Sequence, residues 1–154
     1  MALDSLLLSA KDALSELVNI QDHTVAIAVD GTRTHSGWRD RTTEGYVNGR
    51  NATSQVLKLS KEMGYQLGTH IYDQGVSGRY YASHAEKQMS VVAPNQPLAI
   101  SHPNGMCADC INYFKQYSIY SKMPQVIADP NGVNIFINGT YTFLNDSQLP
   151  TLLQ

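Results

Sequence analysis

Two short stretches concentrate the residue types that can do chemistry. Ser83-His84-Ala85-Glu86 sets an imidazole and a carboxyl two positions apart, and Cys107-Ala108-Asp109-Cys110 contains the chain's only two cysteines. One nitrogen and two sulfur donors form a set that zinc takes in tetrahedral sites. Two Cys at i, i+3 on the first turn of a helix share a face, where the macrodipole and the free N–H groups favour thiolate. Three protein ligands leave the fourth position to water, the arrangement of a catalytic rather than a structural site. Each stretch alone has an ordinary reading. S-x-x-E is equally a capping box, and C-x-x-C is equally a redox pair or half of a structural zinc site. His23, His35, His70 and His102 are irregularly spaced, and His102, close to Cys107, is the best spare ligand.

The linked order narrows these readings. H-x-E opening one helix, then a strand, a Pro turn and C-x-x-C opening the next helix is the zinc-deaminase signature. "SHAEKQ" (83–88) and "HPNGMCADC" (102–110) resemble the cytidine deaminase superfamily, and within it the bacterial polymorphic-toxin deaminases that act on nucleic acid. With its flanking elements the resemblance covers about residues 25–138. It implies that His84, Cys107 and Cys110 hold one zinc ion per chain, that Glu86 shuttles protons, and that Ala85 lies at the substrate. The usual motif has Pro directly before the first Cys, whereas here a longer turn separates Pro103 from Cys107. Upstream, Asn48-Gly49-Arg50-Asn51-Ala52-Thr53 resembles the N-x-E-N-A-S stretch of free-nucleoside deaminases, with Arg50 in place of the acid. A carboxylate accepts a hydrogen bond from a sugar hydroxyl, while a guanidinium suits phosphate, so the departure favours a polynucleotide.

Charge and aromatic residues extend that expectation. The net charge of −2 argues against a sequence-blind coat for nucleic acid, yet it conceals −4 over 1–30, +4 over 31–61 and −2 over 62–154. Arg39, Arg41 and Arg50 in the basic segment are expected to contact phosphates. Aromatic faces stack on unpaired bases at roughly 1–3 kcal/mol each. Trp38, Tyr72, Tyr80, Tyr81 and Tyr113 are candidates for this, with Trp38, Tyr80 and Tyr81 preferred and Phe114 read as core. Substrate contacts are therefore expected from Trp38, Asn48, Arg50, Tyr80, Tyr81 and Ala85.

Positioning these groups requires an α/β layered domain, a mixed five-stranded sheet flanked by helices, as the cytidine-deaminase resemblance implies. The leucine and alanine spacing of residues 3–18 reads as an amphipathic helix, without the basic n-region of a leader. Strands are expected at 25–29, 45–48, 98–101, 126–128 and 133–137, and helices before Gly64, from His84 and over 107–120. The stretch 31–44 reads as a loop or a bent hairpin. Asp129-Pro130-Asn131-Gly132 is a tight turn that forces the last two strands antiparallel. Among deaminases this hairpin occurs in nucleoside and many toxin members. The whole chain, 1–154, is read as one deaminase domain: helix 1–20, core 25–138 and tail 139–154. No segment approaches the ~20 apolar residues of a membrane span.

Together these features point to hydrolytic deamination of cytosine to uracil in single-stranded nucleic acid, DNA ahead of RNA. The resemblance implies a toxin module of a competition effector, acting in the cytoplasm of a target cell and met there by a cognate immunity protein. A domain excised from a larger exported protein would have this same sequence character. Two alternatives remain open at this point. One is a free-nucleoside deaminase. The other is a non-catalytic zinc-stabilised binding module, in which His102 would fill the fourth position.

Overall fold

A computed structural model describes residues 3–40 and 43–149. Arg41, one of the expected phosphate contacts, lies outside the described residues. The elements in chain order are α1 (Leu3–Ser15), β1 (Val25–Ala28), β2 (Arg33–His35), α2 (Gly49–Glu62), α3 (Arg79–Ala82), α4 (Ala85–Val92), β3 (Leu98–Ile100), α5 (Ala108–Ser121), β4 (Gln125–Asp129), β5 (Gly132–Ile137) and β6 (Thr140–Asn145). Single 3-10 turns occupy Ile71–Asp73 and Asp146–Gln148.

The strands form one mixed sheet in the order β2-β1-β3-β4-β5-β6. Among the described residues only β3 and β4 run parallel, joined by α5 as the crossover that parallel neighbours require. Alternation along each strand divides the core into two layers. Ala26, Ala28, Leu98, Ile100, Ile127 and Phe136 join the cluster that includes Val56 of α2, Met89 of α4 and Phe114 of α5. Ile27, Ala99, Val126, Ala128, Val133 and Ile135 pack with Leu7, Ala10 and Ala13 of α1. Fully burying a side chain such as Phe114 or Phe136 contributes roughly 1.5–3 kcal/mol, and both are at most 1% exposed.

The α/β layered architecture with its antiparallel hairpin is as expected, with two corrections. The sheet has six strands rather than five, because 140–145, expected within a tail, pairs along the whole of β5. Asn138 and Gly139, with φ of 48° and 85°, make the turn between them, the double positive φ of a two-residue hairpin loop. The second strand is 33–35 rather than 45–48. Thr34 and His35 are buried there, and Thr34 Oγ1 donates to the Ala85 carbonyl at 2.8 Å. The 45–48 segment runs beside this strand, tied to it by the Val47 N–H on the Arg33 carbonyl at 2.9 Å.

Candidate metal and active site

Two helix starts converge on one point. His84 precedes α4 with extended backbone, φ −63° and ψ 140°. Cys107 caps α5, its Sγ accepting from the Cys110 N–H at 3.4 Å. Because α4 and α5 share the sheet face that carries Ile100 and Ile127, their N-termini meet. His84 Nδ1 lies 3.3 Å from Cys110 Sγ and 3.5 Å from Cys107 Sγ. The ligand atoms of His84, Cys107 and Cys110 all lie within 4.8 Å of one another, a group able to hold a metal ion.

The donor chemistry fits a soft-to-borderline cation. The hydrogen bond with Cys110, aided by His84, holds the Cys107 thiol down at about 4 despite burial. Burial drives the Cys110 thiol the other way, well above its ordinary value. Two thiols this close ionise together only when a cation balances them. No fourth ligand joins the group among the described residues. His102 is exposed instead, its Nδ1 accepting from the Asn104 N–H at 3.1 Å.

Glu86 is 3% exposed, and burial raises its carboxyl, opposed first by the nearby His84. Its charge also acts on Cys110, so the carboxyl sits in the electrostatic reach of the cluster. Ala85, between ligand and acid, is fully buried, and its carbonyl is occupied by Thr34.

Two residues inside the motifs join the two helices. Lys87 of α4 is wholly buried, and its ammonium donates to Asp109 Oδ1 of α5 and to the Tyr81 carbonyl at 3.0 Å. Asp109 Oδ2 accepts the Gly68 N–H at 2.8 Å. The ion pair thus braces the ligand-bearing turns and the 65–68 segment. Both residues stand in the letters SHAEKQ and CADC, but nothing local marks them as partners.

The longer turn before Cys107 is held from a distance. Gly105 has φ 75°, and a Cβ there would meet Asp129 Oδ2 at 2.8 Å, so this approach needs glycine. Asn131 Nδ2 donates to the Pro103 carbonyl at 2.9 Å, and Asp129 accepts from Asn131 N–H and Asn134 Nδ2 at 2.7 Å each. The β4–β5 turn therefore braces the turn that presents Cys107.

An aromatic wall stands beside His84. Tyr80 and Tyr81 of α3 approach its ring at centroid distances of 5.4 Å and 5.5 Å. His70, which irregular spacing had left without a role, stacks on Tyr80 at 3.8 Å. Asp73 organises this loop by accepting N–H groups of His70, Gly78 and Tyr80 at 3.0, 3.1 and 2.9 Å. Tyr72 is exposed, whereas Tyr113 is a core residue bonded to Ser90 Oγ at 2.8 Å rather than a rim residue.

The other expected substrate residues gather elsewhere. Trp38 and Arg50 line a cavity of about 460 Å³ with Arg39, Asp40, Thr53, Ser54, Leu57, Val76 and Arg79. None of the metal-ligand group lines it. Asn48 is committed to structure: it caps α2 by accepting the Asn51 N–H at 3.1 Å and donates to Asp40 Oδ1 at 2.9 Å.

Residues 33–90 match the family model described as Single-strand DNA deaminase toxin A, C-terminal. The chain is similar to a polymorphic-toxin deaminase. The matched stretch runs from β2 into α4 and so contains His84, Glu86 and the α3 aromatics. Cys107 and Cys110 lie beyond it and enter the site by geometry. No match was found among curated proteins. Among the described residues, no helix is long and apolar enough to cross a membrane.

Proposed function

We propose that the chain is a zinc-dependent enzyme that deaminates cytosine to uracil in single-stranded DNA, ahead of RNA, as the toxin module of an interbacterial competition effector. The observation that carries this reading is the trio His84, Cys107 and Cys110 beside the buried Glu86, without a fourth protein ligand among the described residues. The similarity to a single-strand DNA deaminase toxin supports the substrate class. The open coordination position favours catalysis over a structural zinc module.

His84, Cys107 and Cys110 would hold the ion, which when bound lowers the pKa of water to about 7 and so supplies a nucleophile at neutral pH. Glu86 accepts the proton that water gives up and passes it to the ring nitrogen beside C4 of the cytosine. The oxygen nucleophile bonds to C4, and Glu86 takes the second proton from the resulting C4 hydroxyl and gives it to the amino group. The C4–N bond then breaks, so that ammonia leaves and the carbonyl of uracil remains. Burial raises the Glu86 carboxyl above its ordinary value, the direction that suits a proton acceptor. A cytosine stacked in a duplex is out of reach, so the base must be unpaired or flipped. Tyr80 and Tyr81, flanking His84, provide ring surfaces against which such a base can rest, and the Ala85 N–H lies in the first turn beside them. In this reading the target cell's cytoplasm is the site of action, and a cognate immunity protein is the natural antagonist.

Glu86→Gln should retain zinc and the circular dichroism of the parent while losing at least ~100-fold in ammonia release from cytosine-containing single strands. Wild-type turnover by that variant would remove Glu86 from the mechanism. Sequencing single-stranded DNA and RNA after incubation should reveal C-to-U changes, DNA first. Faster turnover of free cytidine than of either polymer would instead favour a nucleoside deaminase.

A further inference from the structure

The cavity beneath Trp38 is not used by the chemistry above, and its lining is lopsided in charge. Arg39, Arg50 and Arg79 face it against one acid, Asp40. The Arg79 guanidinium carbon sits over the Trp38 ring, 3.8 Å from its centroid, and Arg79 is held there by donating to the Asp73 and Gln74 carbonyls at 3.1 Å and 2.8 Å. Arg50 meets Asp40 only at 3.9 Å, with the two side chains 68% and 67% exposed, so its guanidinium remains available. Thr53 forms part of the wall at 2% exposure, and its hydroxyl has no hydrogen-bond partner among the described residues. Buried polar groups are normally satisfied, so an orphan beside a basic cavity points to a ligand or ordered water.

Guanidinium groups converging on a concave volume match phosphate oxygens. The location says whose phosphate. Helix α3 is one turn long: its first residue, Arg79, borders the cavity, and the next two, Tyr80 and Tyr81, flank His84. The cavity and the aromatic wall beside His84 are thus joined by a single helical turn, within reach of one strand. We propose that this cavity seats a backbone phosphodiester of the single-stranded substrate, flanking the reacting nucleotide, with Arg39, Arg50 and Arg79 as donors. The seat selects polymers over free nucleosides, which carry no such group. Calling the strand a substrate rests on the deaminase reading; the seat itself does not.

The test is binding of fluorescein-labelled oligothymidylate to the zinc-loaded full chain, followed by anisotropy across a salt series. This probe has no cytosine, so its binding is independent of turnover. Arg39→Gln with Arg50→Gln should weaken binding and flatten the slope of log K against log salt by roughly 0.7 per arginine. Asp40→Asn, which removes the cavity's acid, should tighten binding. A double variant with the parent's slope, or an Asp40→Asn protein without the gain, overturns the seat. Thymidine monophosphate competing as well as the oligomer would make it a free-phosphate pocket and overturn it too. Ammonia release from a cytosine-containing strand reports separately on the deaminase reading, so either inference can fail while the other stands.

Discussion

Lys87 and Asp109 carry opposite charges into the interior on the two helices whose first turns present the ligands. Removing one partner of a buried pair leaves the other uncompensated and typically costs about 3–5 kcal/mol. Lys87→Met should lower unfolding stability by that amount in urea titration, and adding Asp109→Leu should recover part of it. A Lys87→Met protein as stable as its parent would show the pair to be dispensable. At this scale the sequence was informative where candidate ligands cluster locally: His84, Cys107 and Cys110 stand out by spacing and identity, and the fold brings them together. Lys87 and Asp109 did not, because their partnership exists only after α4 and α5 pack side by side. Arg79 was likewise hidden, since it lies outside the basic segment and reaches Trp38 only through the folded loop.

At the scale of elements, the loop from His70 to Tyr80 depends on one carboxylate. Burial is the largest single influence on Asp73 and raises its pKa, but the N–H donors of Tyr80, His70 and Gly78 together outweigh it and hold the group below 3.8. A carboxyl depressed on folding adds stability that is complete above its unfolded value and is lost as pH falls through its folded one. Asp73→Asn should therefore be less stable than the parent at neutral pH, with the gap closing as pH drops below 3.8. Urea midpoints of the two proteins across that range check this, and a gap constant with pH would contradict it. Helix positions were legible because α2 and α5 bury residues at helical spacing, Ala52, Thr53, Val56 and Ser60 in α2 and Cys110, Tyr113, Phe114 and Tyr117 in α5. Strand β6 was not, since it is largely exposed and lacks a buried alternating face. Its one clear marker is Asn138-Gly139 after the apolar run of β5, a hairpin signal. Strand β2 was obscured for another reason: three residues are too few for a period, and their burial comes from α4 packing above them.

At the scale of the molecule, both faces of the sheet carry their own apolar layer, so the fold is expected to form without a metal. We propose that 1–154 unfold as one domain. Heating should give a single transition with or without zinc, and chelation should lower its midpoint by roughly 5–10 °C if zinc is present at about a hundred times its dissociation constant. Two resolved transitions would divide the domain, and an unchanged midpoint would mean that no ion had been bound. The net charge of −2 averages over the whole surface, whereas Arg39, Arg50 and Arg79 share one cavity.

The brace from Asp129 and Asn131 onto the Pro103–Gly105 turn has a consequence for the order of assembly. All the candidate ligands and Glu86 have been synthesised by residue 110, yet the props for the Cys107 turn come from residues 129–134. A nascent or truncated chain ending before the hairpin would contain every reactive group and still present Cys107 on an unsupported turn. The candidate site is thus completed only after residues 129–134 have been made and β4 and β5 have paired.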